Sequence, residues 1–146
     1  MQLQAESNPA LNTVTAYGPD YIEINAVAYQ HAVYFSPEGD IQRWEVSQVG
    51  DINAAQLRQI AGLENAAADP MAFLDGEPAQ KPDGAPEVVL IGTGHTQRFL
   101  PRHVTQPLLE LGIGVEAMST QAAARTYNIL MSEGRRVVAA LLPLEP

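Results

Sequence analysis

The sequence predicts a single three-layer α/β domain with a mixed central sheet. From residue 87 onward, apolar strands alternate with helical segments, which is the pattern of a βαβαβ unit with parallel strands. Between residues 15 and 45, apolar and polar residues alternate instead and a turn breaks the pattern, which indicates an N-terminal β-meander. A chain of 146 residues, 46% of them apolar, is the size of one ordinary domain. We expect residues 1–13 to be a flexible tail and residues 14–146 to be that domain.

Two-residue periodicity predicts the N-terminal strands. The alternation runs through residues 21–25 and again around Val33 and Phe35. Residues 37–40 form a turn sequence, and residues 41–46, which contain the only tryptophan, are the expected returning strand. The resulting meander is expected to add strands to the central sheet or to form a small layer against it.

A short helix is predicted from Asp51 to Ala61. Asn53 is placed to cap it and Gln56 follows three residues later, which is a capping-box spacing. Ile52 and Leu57 are spaced as a hydrophobic staple, and Gly62 is expected to end the helix. Residues 64–86, rich in Ala, Pro, Asp and Gly, are predicted to be loop with a helical turn near Met71 and Phe73.

The C-terminal elements follow in a regular order. Strands are predicted at residues 87–91, 114–118 and 136–142. Pro101 opens the first helical segment, which ends at Gly112, and Pro107 is expected to interrupt it so that the stable helix begins near Thr105. Thr120 is expected to cap a second helix that runs to Glu133.

Composition excludes several classes of function. The chain has no cysteine, so thiol nucleophiles, disulfides and cysteine-based metal sites are ruled out. Its formal charge is −9, which disfavours binding to nucleic acid and to anionic membranes. The N-terminus resembles neither a secretory signal nor a transit peptide, and no apolar run is long enough to span a bilayer. We therefore expect a cytoplasmic protein without membrane insertion.

No complete catalytic or cofactor-binding motif is present. The turn at residues 92–94 starts like a dinucleotide-binding motif, but Gln97 stands where the third glycine is needed. The three histidines are too scattered for a metal site, and Ser119 lacks the context of a nucleophile elbow. No cofactor and no metal are predicted, and the catalytic residues, if the chain is an enzyme, cannot be named.

A ligand site is nevertheless expected beyond the carboxyl ends of the parallel strands, where open α/β sheets bind their ligands. Glycines at residues 92–94 allow close approach of the backbone, and the helix start at Thr120 favours an anion. Arg125 and Asn128 are neighbours on that helix and together can bind a carboxylate or phosphate, although a solvated helix surface or an ion pair with Glu116 is the alternative. The candidate ligand-binding residues are Gly92, Thr93, Gly94, Arg98, Thr120, Arg125, Tyr127 and Asn128.

Several motifs occur in an order that resembles a known family. They are LIGTG (90–94), RFLP (98–101), LGIGVEAM (111–118), TQAAARTYN (120–128) and EGRRV (133–137). This combination is similar to the small family of unknown function that includes mitochondrial complex I assembly factor three and the adipogenesis-associated protein of animals. The resemblance covers residues 14–142 and implies a three-layer α/β fold with a mixed sheet. Relatives often carry a cysteine where this chain has Ala124, which argues against an essential thiol at that position.

Two functions follow as hypotheses. The resemblance, together with the missing catalytic set, implies a protein-interaction or assembly accessory, related to respiratory complex I, whose partners are other proteins. The alternative is a protein or enzyme that binds a small anion or metabolite through the glycine turn and Arg125. Nucleic-acid partners are not expected, and the sequence predicts no oligomeric state.

Overall fold

The computed structural model describes residues 11–63 and 84–144. The predicted loop at 64–86, with its turn near Met71 and Phe73, lies almost entirely outside the described residues. In chain order the elements are β1 (Val14–Gly18), β2 (Tyr21–Ile24), β3 (Val27–Tyr29), β4 (Val33–Phe35), β5 (Gln42–Arg43), a 3-10 turn (Val49–Asp51), α1 (Ala54–Ile60), β6 (Val88–Gly92), α2 (Arg102–Glu110), β7 (Gly114–Met118), α3 (Thr120–Ser132) and β8 (Val137–Leu141).

The central sheet is mixed and has five strands in the order β5-β4-β8-β6-β7. Strands β8, β6 and β7 run parallel to one another, as expected for the predicted βαβαβ unit. Strand β4 pairs antiparallel with β8, and β5 pairs antiparallel with β4. The predicted fold class is therefore confirmed.

The N-terminal meander takes both of the positions that the sequence allowed. Strands β1, β2 and β3 form a separate three-stranded antiparallel sheet, while β4 and β5 extend the central sheet. The alternation in β2 places Ile22 and Ile24 in the core, fully buried. The predicted returning strand is shorter than residues 41–46 because β4 is itself short. Beyond Arg43, the N–H of Trp44 donates to the carbonyl of Ala32, and no further strand pairing follows.

Two apolar clusters cover the two faces of the central sheet and define three layers. In β6, Val89 and Ile91 face the cluster that holds α1 and α2, whereas Leu90 faces the cluster that holds α3 and the small sheet. Strand β8 alternates in the same way and is buried along its whole length. The near-continuous apolar runs in the sequence thus reflect strands that are covered on both sides.

The structure contains the helix start that the sequence predicted for α1. The Oδ1 atom of Asn53 accepts a hydrogen bond from the N–H of Gln56 at 2.9 Å, and the Oε1 atom of Gln56 accepts one from the N–H of Asn53 at 3.0 Å. The predicted capping box is therefore present, and Ile52 and Leu57 are buried in the same cluster.

Helix α2 differs from the prediction because Pro107 does not interrupt it. The helix begins at Arg102, directly after Pro101, and continues to Glu110 with Pro107 inside it. The hydrogen bond that Pro107 lacks would go to the carbonyl of His103, and His103 is exposed to solvent. Buried Val104 and Leu108 hold the helix to the core on either side of the proline.

Asn12, which precedes β1, is held against the turn that follows β4. Asn12 is buried, its N–H donates to the carbonyl of Pro37, and its Nδ2 donates to the carbonyls of Ser36 and Gly39. These bonds tie the start of the meander to the turn after β4. In the segments 11–63 and 84–144, no helix is long and apolar enough to cross a bilayer.

Candidate functional site

The carboxyl ends of the parallel strands meet the start of α3, as the sequence predicted. Gly92 lies opposite Met118 of β7 and Leu141 of β8 in the register of the sheet. The N–H of Gly94 donates to Oγ1 of Thr120 at 2.9 Å, and the N–H of Thr120 donates to the carbonyl of Gly94 at 2.9 Å. The glycine turn and the helix start therefore share one rim of the sheet.

Thr120 has a different role from the predicted cap. Its hydroxyl donates to the carbonyl of Leu142 at 2.6 Å and accepts from Gly94, so the fully buried side chain joins the ends of β6 and β8 to α3. The capping residue is Ser119, whose Oγ accepts a hydrogen bond from the N–H of Ala122 at 3.3 Å. Thr120 cannot cap the helix because its hydroxyl is directed to the strand ends.

The fold itself explains why glycine occupies both glycine positions of the turn. A Cβ atom at Gly92 would lie 2.9 Å from Cα of Thr120, so only glycine allows α3 to approach the strand this closely. Gly94 has a φ of +99°, in the region that favours glycine. The N–H of Thr93 donates to the carbonyl of Met118, so the N–H groups of Thr93 and Gly94 are both bonded within the chain.

Thr93 shapes the loop that follows the turn. Its hydroxyl oxygen lies 2.7 Å from the carbonyl of Thr96 and 3.0 Å from the carbonyl of Met118. The same oxygen accepts a hydrogen bond from the N–H of Arg98 at 3.1 Å. Through these contacts the buried Thr93 determines the path of residues 94–98.

The remaining candidates on α3 contact the N-terminal meander. Asn128 binds both backbone groups of Val14: its Oδ1 accepts from the N–H at 3.0 Å, and its Nδ2 donates to the carbonyl at 2.8 Å. The exposed Arg125 donates from Nη1 to the hydroxyl of Tyr17 at 3.1 Å. The structure thus places Arg125 and Asn128 beside β1. Their role in binding an anion stays a prediction.

Tyr127 lies deepest of the candidates on α3. It is fully buried, its hydroxyl donates to the carbonyl of Asn12 at 2.8 Å, and its ring packs edge-on against Phe35 with 4.8 Å between centroids. Burial raises the pKa of the Tyr127 hydroxyl above its ordinary value, since the charged phenolate would lose its hydration. This hydroxyl therefore stays protonated and acts as a donor in the core.

Three of the predicted residues line a cleft at the strand-end rim. Its volume is about 280 Å³, and Thr93, Gly94 and Arg98 contribute to its wall. Residues 47–50, which the sequence analysis did not associate with the site, also line this cleft. Asp51 holds this segment, because its Oδ2 accepts hydrogen bonds of 3.3 Å from the N–H groups of Ser47 and Gln48. In the sequence, an acidic residue shortly after two polar residues is the signal that could have indicated this segment.

A larger cavity, of about 620 Å³, lies at the opposite edge of the sheet. Residues 134–138, before and at the start of β8, contribute to its lining together with Pro37 and Met131. At the same edge, Glu87 accepts a hydrogen bond from the N–H of Arg136 at 3.0 Å and pairs with Arg135 at 3.3 Å. The hydrogen bond from Arg136, followed by the charge of Arg135, holds the pKa of Glu87 below its ordinary value.

Across the described ranges, 11–63 and 84–144, no three His, Asp or Glu side chains lie close enough together to hold a metal ion. His95 lines the cleft and is exposed, whereas His31 lies in the meander region, where its Nδ1 is 2.9 Å from the carbonyl of Ala32.

Comparison with known proteins agrees with the fold. The chain is similar to a protein of Bordetella pertussis whose solution NMR structure is described as a Mth938-like domain, with 54% identity, a TM-score of 0.77 and coverage of 99% of this chain and 94% of that one. An uncharacterized protein of Rhodobacter capsulatus is 49% identical over 61 residues, which are 42% of this chain and 49% of the relative. The bovine NADH dehydrogenase [ubiquinone] 1 alpha subcomplex assembly factor 3 is 42% identical over 57 residues, 39% of this chain.

The chain spans less than half the length of these two curated relatives, 49% of the first and 31% of the second. The match to a family is much more extensive and runs from residue 14 to residue 142. It includes both the small sheet and the central sheet. The chain therefore belongs to the family described as protein of unknown function (DUF498/DUF598).

Proposed function

We propose that this chain is a protein-binding accessory factor that acts in the assembly of a respiratory NADH dehydrogenase and works in the cytoplasm. The bovine relative, which is named as an assembly factor of that enzyme, supports a role in assembly. Absence of cysteine agrees with a reducing compartment.

The single observation that carries the proposal is the use of the predicted ligand-binding groups within the fold. The N–H groups of Thr93 and Gly94 and the side chains of Thr120, Tyr127 and Asn128 all bind other parts of the same chain. A ligand that bound through these groups would have to displace these bonds, each of which satisfies a group that is costly to leave unpaired. Because the polar groups of the glycine turn and of α3 hold the fold together, we assign the function to the exposed surface.

The test combines capture with a deletion strain. The full chain, tagged and expressed at its native level, is captured after mild solubilisation of cells, and a deletion strain is assayed for assembled NADH dehydrogenase by native gel electrophoresis and activity staining. We expect subunits or partial assemblies of the enzyme among the captured proteins and a reduced amount of assembled complex in the deletion strain. Normal assembly in that strain, together with capture of no subunit, contradicts the proposal. Fractionation of the same cells tests the compartment.

A second candidate function rests on the rim cleft. Its wall includes Thr93, Gly94 and the exposed guanidinium-bearing Arg98, and its volume of about 280 Å³ accommodates a small anion or metabolite. The expected result is a rise in melting temperature with one or more anionic metabolites, which Arg98→Ala abolishes. An Arg125→Ala variant is the matched comparison, since Arg125 contacts Tyr17. A shift that disappears only in Arg125→Ala places the anion on α3 instead. A shift that persists in both variants, or no shift in the wild type, contradicts this function.

A further inference from the structure

The loop after β6 holds an aromatic side chain in solvent. Phe99 is 81% exposed, more than any other large apolar residue in the part of the chain that the structure describes. An exposed phenylalanine is unfavourable for an isolated domain, because its burial would contribute about 1.5–3 kcal/mol. Single exposed apolar residues are common, so the surroundings of Phe99 decide whether it has a function.

The loop that carries Phe99 is fixed at several points along its length. The N–H of His95 donates to the carbonyl of Leu144 at 3.1 Å, and Nε2 of Gln97 donates to the carbonyl of Ala117 at 2.9 Å. Arg98 is bound through its N–H to Thr93, and Leu100 packs against the core beside α1 and α2. Residues on both sides of Phe99 are thus anchored, so a partner that binds Phe99 does not have to order the loop first.

The stretch of sequence that contains Phe99 is basic, although the chain as a whole is acidic. The chain carries −9, yet no Asp or Glu occurs between residues 88 and 109. That stretch contains two arginines and two histidines, all exposed: His95, Arg98, Arg102 and His103. In residues 11–63 and 84–144, the ion pairs are Arg43–Glu45 and Arg135–Glu87, so neither Arg98 nor Arg102 is paired with a described carboxylate.

We propose that the Phe99 surface, defined as residues 95–100 with Arg102 and His103, is the docking site for an acidic segment of a partner protein. Phe99 enters an apolar depression on the partner, and acidic side chains of the partner bind Arg98 and Arg102. Arginine beside an aromatic residue is the combination enriched at the energetic centre of protein interfaces. This inference rests on the proposed function and adds the place and the chemistry of binding.

Charge complementarity favours a protein segment over the two other polyanions. Nucleic acid and anionic membrane present negative charge over an area larger than the Phe99 surface, so the acidic remainder of a chain whose net charge is −9 would repel them within a Debye length of about 8 Å. A segment with a few acidic residues presents its charge only where Arg98 and Arg102 lie.

The test uses site-specific photo-crosslinking in the host cell. A photoreactive phenylalanine analogue replaces Phe99 in the full-length chain, and in a control chain it replaces Val27, which is 52% exposed on the small sheet. We expect the analogue at position 99 to crosslink to a protein at a peptide with acidic residues beside the attachment point. The variant carrying Arg98→Glu and Arg102→Glu is expected to lower the crosslink yield by about tenfold. Arg136→Glu, at the opposite edge of the sheet, is expected to leave the yield unchanged.

A competition experiment provides the second measurement. Here the cells are lysed before irradiation. Unlabelled wild-type protein added to the lysate is expected to suppress the crosslink, and Phe99→Ala protein with an unchanged melting temperature is expected not to. A crosslink at position 99 to a neutral or basic peptide, to lipid or to nucleic acid overturns the inference. So does a partner that crosslinks at position 27 but not at 99, although this result leaves the proposed function standing. Absence of crosslinks at both positions together with failed capture overturns both.

Discussion

At the scale of single residues, Asn128 shows how a polar side chain replaces missing strand pairing. Its amide binds both the N–H and the carbonyl of Val14, the first residue of β1. A side chain with one donor and one acceptor is needed there, which explains an amide on the polar face of α3.

Asn128→Asp is expected to lower the free energy of unfolding by about 1–3 kcal/mol, because a carboxylate cannot donate to the carbonyl of Val14. The same change at Asn53, where Oδ1 only has to accept from Gln56, is expected to change stability by less than about 0.5 kcal/mol. Urea denaturation at neutral pH measures both. Equal losses in the two variants would contradict the role given to Asn128.

Tyr127 is expected to make stability depend on alkaline pH. Its folded-state pKa is raised by burial, so its contribution is complete below the unfolded value of about 10 and is lost as pH rises above it. At pH 11 the wild type should lose about 1.4 kcal/mol through this group, whereas Tyr127→Phe should not. At pH 7 the variant should instead be less stable by about 1–1.5 kcal/mol, since the carbonyl of Asn12 loses its donor.

The measurement is the difference between wild type and Tyr127→Phe in urea unfolding at pH 7 and pH 11. The difference is expected to narrow or change sign at the higher pH. Tyr17→Phe serves as the control, because it also removes a tyrosine hydroxyl, one that contacts exposed Arg125 instead of the core. A constant difference would show that Tyr127 ionises equally easily in both states.

At the scale of elements, one hydroxyl joins α3 to two strands. Thr120 binds Gly94 after β6 and Leu142 after β8, while Ser119 caps the helix. The close approach at Gly92 belongs to the same junction. Packing of helix on sheet at this rim therefore depends on small and hydroxyl-bearing residues.

Thr120→Val, which has nearly the same shape, is expected to cost about 2–4 kcal/mol because it leaves a buried N–H and a buried carbonyl without partners. Thr120→Ser retains the hydroxyl and should cost no more than about 1.5 kcal/mol. Thermal or urea unfolding distinguishes the two. If serine were as costly as valine, packing of the methyl group rather than hydrogen bonding would explain Thr120.

At the scale of the whole molecule, acidic residues are concentrated in one part of the chain. Residues 1–86 hold 12 acidic and three basic residues, whereas residues 87–146 hold five of each. Both ion pairs found in the described segments involve partly or largely exposed side chains, so they contribute little. We therefore expect repulsion among like charges to be the main electrostatic effect on folding.

Raising NaCl from 10 to 200 mM is expected to raise the melting temperature by a few degrees, about 2–4 °C for each kcal/mol of repulsion that is screened. The response should be smaller in a variant that carries Glu38→Gln and Asp40→Asn, two exposed acids of the N-terminal part. KCl should act like NaCl. A falling melting temperature would mean that attractive pairs outweigh the repulsion.

Patterns that depend on neighbouring residues were predicted well. The alternation at residues 21–25, the capping box at Asn53 and the sequence of strands and helices after residue 87 all appear in the structure. Pro107 and Thr120 were misjudged. Helix α2 tolerates the proline, and the residue whose carbonyl it leaves unbonded, His103, is exposed. A threonine at a helix start can bind strands instead of the helix.

By itself, the sequence determined the fold class, the order of the elements and the meeting of the glycine turn with α3, because periodicity and the rules of parallel sheets act through near neighbours and chain direction. Only the tertiary structure decided what the polar residues of α3 contact. Asn128 and Tyr127 bind residues 114 and 115 positions earlier in the chain, and no local pattern records such a distance. The exposure of Phe99 was decided in the same way, since burial depends on what the rest of the chain places around a side chain.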